Sequence, residues 1–185
     1  MDERLTTPKA ECHYAYLFVP STKFDSDGIY SINLVFDPQN AEHKDFLATL
    51  KELHAKTEGS NIPWKEEKDI ETGQPTGRFI VKFKSKFSVG VFDALNQPLN
   101  YDKNIVGSGS LVRVSFKHQP YSQNGGGLSL FLNAVQVIDL NRYEGGTAED
   151  YGFEKDETGY NEFRDLPETT ETKNAGDDGS EDLPF

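Results

Sequence analysis

Lys82, Lys84 and Lys86 occupy alternate positions in one stretch of the chain, and Arg113 and Lys117 lie among alternating apolar residues further on. On an extended strand alternate residues project to one side, which sets successive ammonium groups ~6.5–7 Å apart. That is near the spacing of phosphates along an extended single strand of nucleic acid, and each phosphate neutralised releases counterions. A solvated sheet face would carry lysines too, and lysine also guards strand edges against pairing. The local charge favours the phosphate reading: residues 72–118 hold seven Lys/Arg against two Asp/Glu, a net of +5 within a chain of formal charge −12. Rings are the second requirement, since unpaired bases stack on aromatic side chains for ~1–3 kcal/mol each. Trp64, Phe92, Tyr101 and Tyr121 fall outside an obvious core pattern and are the stacking candidates, Phe92 on the cation side of its strand and the others in loops. Tyr14, Tyr16 and Phe18 share one face of the first strand and fit either a core or a platform.

The negative charge is concentrated elsewhere. Residues 141–185 contain 14 Asp/Glu and 4 Lys/Arg, a net of −10, whereas the first 140 residues sum to −2. An acidic chain ordinarily repels nucleic acid, but this segregation removes the objection. The acidic stretch ends Asp182-Leu183-Pro184-Phe185, an aromatic carboxylate terminus with the character of a ligand for another protein.

Other chemistries find little support. One cysteine, Cys12, allows no internal disulfide and no thiolate metal cluster, and it suits a reducing cytoplasm. His13, His43, His54 and His118 are scattered; His43 and His54 would stand three turns apart on a helix, too far for one metal ion. Asp25-Ser26-Asp27-Gly28 opens like a calcium loop, but the twelfth position is Phe36, not Glu. The glycine runs at 107–109 and 125–127 lack the Gly-Lys-Ser/Thr ending of a phosphate cradle and read as flexible connections. No nucleophile elbow or Cys–His dyad is present. The reading is of a protein that is not an enzyme and has no cofactor or metal. No apolar run approaches the ~18 residues of a membrane span, and the start is not a secretory signal, so a soluble cytoplasmic protein with no membrane partner is expected.

The elements that must position these residues are mostly strands. Residues 12–19, 29–36, 78–92, 111–118 and 128–140 show β patterning, and 38–56 carries Phe46, Leu47, Leu50 and Leu53 at helical spacing. Residues 61–77 read as a long loop around Trp64, and 120–127 as a flexible loop. Five or six β segments with one amphipathic helix predict a mainly β fold built on a small closed barrel. Past Tyr143 the composition turns polar; aromatic residues at 151, 153, 160 and 163 suggest a partly docked linker over 143–164, and 165–185 reads as a disordered acidic tail.

The chain resembles single-stranded DNA-binding proteins in two ways. Its tip, Glu181-Asp182-Leu183-Pro184-Phe185, is similar to that of the bacterial family, which ends in acidic residues followed by Ile or Leu, Pro and Phe. Its body, through GSGSLVRVSF at 107–116, a Gly-rich loop and LSLFLNAVQVI at 128–138, resembles the tailed-bacteriophage proteins over residues 10–140. The helix at 38–56 and the insert around Trp64 depart from the bacterial pattern. The resemblance implies a five-stranded OB-fold-like barrel over 1–142, acting in phage DNA replication and recombination. Lys82, Lys84, Lys86, Arg113 and Lys117 would take phosphates; Trp64, Phe92, Tyr101 and Tyr121 would stack bases. The tail would compete with DNA and present Asp182, Leu183, Pro184 and Phe185 to a polymerase, helicase or nuclease. A homo-oligomer is left open. The rival reading is an acidic DNA mimic that acts on a nucleic-acid-binding host protein.

Overall fold

A computed structural model of the chain describes residues 4–23, 25–99 and 106–141, all within the compact unit Met1–Gly145. The described elements run β1 (Leu5–Thr6), β2 (Ala10–Ser21), β3 (Ile29–Phe36), α1 (Ala41–Ala55), β4 (Trp64–Lys68), β5 (Pro75–Ser85), β6 (Gly90–Phe92), β7 (Leu111–Tyr121) and β8 (Gly127–Asp139). Five of the strands pair in a closed circuit: β7 with β2, β2 with β3, β3 with β5, β5 with β8, and β8 back to β7. Every pairing in it is antiparallel except β5–β8. The mainly β, five-stranded, OB-fold-like ring with one helix is therefore present. β1, β4 and β6 extend it as short edge strands. Among the described residues no helix is long and apolar enough to cross a membrane.

Alternation explains why the ring closes. On β7, Val112, Val114 and Phe116 are fully buried while Arg113, Ser115 and Lys117 face outward; on β5, Val81 and Phe83 are buried between exposed Lys82 and Lys84. The inward side chains meet as interlocking rings: Phe83 and Phe116 lie 5.0 Å apart, Phe116 and Phe46 6.0 Å, Phe46 and Phe36 4.8 Å. Phe46 comes from α1, which buries Phe46, Leu47 and Leu50 against the ring. Asn40 caps that helix by accepting from the His43 N–H. Both His43 ring nitrogens are engaged, Nδ1 accepting from Asp37 N–H at 3.0 Å and Nε2 bonded to the Lys9 carbonyl at 2.8 Å. Cys12 lies in the core, where burial pushes its thiol up to about 11.

Three sequence readings need correction. The 61–77 loop contains β4, which pairs antiparallel with β5. Its sequence, Trp-Lys-Glu-Glu-Lys, has no apolar alternation because it is an edge strand, held by Arg78 Nε to Glu67 at 2.7 Å and closed by Asp69, which caps the turn through Thr72. The 78–92 segment is broken after Ser85, whose hydroxyl bonds both the N–H and the carbonyl of Phe87. The glycine runs, expected to be flexible, are tied down. Ser60 and Asn61 N–H groups donate to the carbonyls of Gly125 and Gly126 at 3.1 Å, and a Cβ on Gly59 would collide with the Gly126–Gly127 backbone. Gly109 N–H, at φ +91°, donates to the Cys12 carbonyl at 2.8 Å, and Gly107 N–H to that of Asn141. Glycine is there for close approach, not mobility.

Candidate nucleic-acid interface

An open groove of about 630 Å³ runs over the outer face of β2, β3 and β5. Its floor includes Ser31 and Asn33; its basic lining is Lys23, Lys65, Lys82 and Lys84, and its aromatic lining is Tyr14 and Tyr16. Lys82 pairs with Asn33 and Lys84 with Ser31, so both lysines project beside β3 on the side away from the core. Among the described residues Lys65, Lys82 and Lys84 enter no ion pair.

The tyrosines reach the groove through a β-bulge. Between the pairs His13–Asn33 and Tyr16–Ser31, β2 spends two residues where β3 spends one. Tyr14 takes φ +51°, uncommon for a bulky residue, and its N–H donates to Ser108 Oγ at 3.3 Å. Plain alternation from Cys12 would send Tyr14 and Tyr16 inward. The bulge resets the phase: Tyr14 is 66 % and Tyr16 42 % exposed, while Leu17 is buried. Phe18 packs against the core.

Acidic groups bound the groove. Asp25 lines it and faces Lys86 Nζ at 3.4 Å; the Asp27 N–H first, then Lys86, hold its carboxyl below the ordinary carboxylate range. Beyond Lys82 on the same outer face, Glu11 is within 3.1 Å of His13 Nε2 and 3.8 Å of Arg78 Nη1, and Arg78 also holds Glu67. Among the described residues, no group of three or more His, Cys, Asp or Glu is placed to hold a metal ion.

The five cations read from the sequence do not line one groove. Lys82 and Lys84 do; Lys86 stands past the end of β5 and is paired to Asp25. Lys117 lies in register with Phe131 of β8, itself in register with Lys84, so it stands two strands beyond Lys84 and outside the groove lining. Arg113 is carried on a separate row with Gln136 and Phe92. The reason is topological: β5 and β7 are separated by β8 in the ring, so equal outward alternation does not make them neighbours. Phe92, expected on the lysine side of one strand with Lys82, Lys84 and Lys86, lies instead on the separate β6, in register with Gln136 and so on the side of Arg113. Trp64 is not in a loop. It pairs with Val81 on the core side, half-buried against His54 at 5.6 Å, and borders a small pocket with Pro63, Lys65 and Lys82. Tyr121 ends β7 and lines a different cleft with Lys56 and Gly126. Tyr101, and with it the 143–164 linker, the 165–185 tail and Asp182, Leu183, Pro184 and Phe185, lies outside the described residues.

Sequence reasoning missed Lys23, Lys65 and Phe131. Lys65 was hidden in the unrecognised β4, and Phe131, beside the groove but not in its lining, is an apolar residue in an apolar strand, yet 39 % exposed on the outer face. For Lys23, next to a turn, no periodic signal exists.

No protein-family model and no curated protein sequence matches the chain. Solved structures do. The gp2.5 single-stranded DNA-binding protein of bacteriophage T7 matches with a TM-score of 0.61 at 21% identity, over 86% of this chain and 98% of that one. The single-stranded DNA-binding protein of bacteriophage Enc34 in complex with ssDNA matches at 0.60 and 17% identity, over 77% and 89%. A second structure of the Enc34 protein gives 0.60 and 16%, over 81% and 90%. The chain has the fold of the single-stranded DNA-binding proteins of bacteriophages T7 and Enc34.

Proposed function

We propose that this chain binds single-stranded DNA without sequence preference. The observation that carries the reading is the groove itself: Lys82 and Lys84, in no ion pair among the described residues, project beside two exposed tyrosines on one sheet face. Such a surface takes phosphates on ammonium groups and bases on ring faces, neither of which reads sequence. The fold shared with two phage single-stranded DNA-binding proteins supports the same reading. A DNA mimic would have no use for this basic lining. The fuller reading places the protein in phage DNA replication and recombination, coating exposed strands. The acidic 165–185 segment would occupy the groove until DNA displaces it, and Asp182, Leu183, Pro184 and Phe185 would then recruit a replication protein. Electrophoretic shift with poly-dT tests the core of the reading. The wild type should shift it, and Lys82→Glu with Lys84→Glu should abolish the shift while leaving the melting temperature within a few degrees. A double variant that shifts poly-dT like the wild type overturns it.

A further inference from the structure

The strand register draws a line that leaves the groove. Tyr16 is opposite Ser31, Ser31 opposite Lys84, Lys84 opposite Phe131, and Phe131 opposite Lys117. Paired residues on neighbouring strands project to the same side. The line therefore crosses the outer face from β2 to β7, beginning among the groove's tyrosines and passing through its Lys84.

Phe131 is the anomalous member. Its neighbours Leu130 and Leu132 face the core at 2% and 3% exposure, whereas Phe131 stands on the outside of β8 at 39%. β8 is flanked on both sides, so the ring guards no edge, and the core is filled without it. Instead it stands between two lysines in register. Lys84 and Lys117, each one strand away, have Cα atoms ~10 Å apart across it. A ring face bracketed by two ammonium groups is the minimal unit that holds one base and its flanking phosphates.

We propose that a single strand bound in the groove leaves it over Lys84, stacks one base on Phe131 and passes its next phosphate to Lys117. This rests on the groove being the single-stranded DNA site and names its exit path. The added span is about one to two nucleotides. Phe131 is thus a length-determining contact: short oligonucleotides fill the groove without it, longer ones need it.

The test is fluorescence anisotropy with labelled oligo-dT of increasing length, for wild type, Phe131→Leu, Phe131→Trp and Lys117→Gln. Leucine keeps apolar bulk and removes the ring face, so the fold should survive; melting curves check this. Phe131→Leu and Lys117→Gln should bind the shortest competent oligonucleotide like the wild type, and longer ones about 5- to 50-fold more weakly, while Phe131→Trp restores the long-oligonucleotide affinity. Equal binding of Phe131→Leu and wild type at every length, with Lys82→Glu/Lys84→Glu still inactive, overturns the exit path and leaves the groove intact. Full binding by the lysine variant as well would instead remove the groove reading on which the path depends.

Discussion

Replacing Asp25 with Asn should tighten single-stranded DNA binding, and the structure sets the salt dependence of the gain. The two carboxylate oxygens have separate tasks: Oδ1 accepts from Asp27 N–H at 3.0 Å, and Oδ2 faces Lys86 Nζ at 3.4 Å. Asparagine keeps an Oδ1 acceptor, so the turn, closed by Gly28 N–H on the Asp25 carbonyl at 3.0 Å, is retained. What disappears is one negative charge. The charged groove lining changes from four lysines against one aspartate to four lysines alone, and Lys86 loses its partner and becomes available to phosphate. One more phosphate contact steepens the plot of log affinity against log salt by about 0.7 for a single strand. The advantage of the variant over the wild type should therefore shrink about 2.5-fold between 50 and 200 mM NaCl. Anisotropy of a labelled oligo-dT across that range measures both quantities. Adding Lys86→Gln to the variant should cancel the steepening. Parallel salt plots, with affinity at 50 mM no tighter than wild type, would refute the idea that Asp25 restrains the groove.

Further outcomes follow from the core and its clamps. Phe83→Ala removes a fully buried ring packed 5.0 Å from Phe116 and should cost about 3–5 kcal/mol in urea unfolding; a loss below about 1 kcal/mol would mean the ring of strands does not close on it. Gly59→Ala cannot keep both hydrogen bonds from 60–61 to the Gly125 and Gly126 carbonyls. It should lower stability by about 1–3 kcal/mol and speed hydrogen exchange at the Asn61 amide, and a wild-type melt would count against the clamp. Cys12 adds an alkaline limb. Its thiol ionises near 9.0 when unfolded and about 11 in the fold. Because the folded value is the higher one, its contribution is complete below pH 9 and is lost as pH rises towards 11, at up to about 1.4 kcal/mol per pH unit. Cys12→Ala should flatten that limb, and an identical limb in the variant would contradict the assignment.

How much of this was legible in the sequence depended on whether a signal was local. Residues 111–118 show outward and inward residues in strict turn and appear as a strand with the expected faces, and 29–36, which alternates only partly, is also a strand; α1 was marked by Phe46, Leu47 and Leu50 at helical spacing. Lys82 and Lys84 were correctly placed on one outward face for the same reason. Whether that face meets Arg113 depends on ring order, which no alternation encodes, and β8 stands between them. The Tyr14 bulge was equally hidden. It depends on one extra residue in β2 and on the Ser108 hydroxyl, distant in sequence, that bonds it. β4 escaped notice because a strand paired on one edge and stabilised by Arg78–Glu67 needs no apolar face. The glycine runs misled because close backbone approach and flexibility draw on the same residue.

The most direct test of the central claim is the salt slope of oligo-dT binding for wild type and for the Lys82→Ala/Lys84→Ala variant. If the groove carries the DNA, each lysine neutralises about one phosphate, and the variant's slope should be shallower by about 1.4. Identical slopes for the two proteins would show that the strand does not lie beside Lys82 and Lys84.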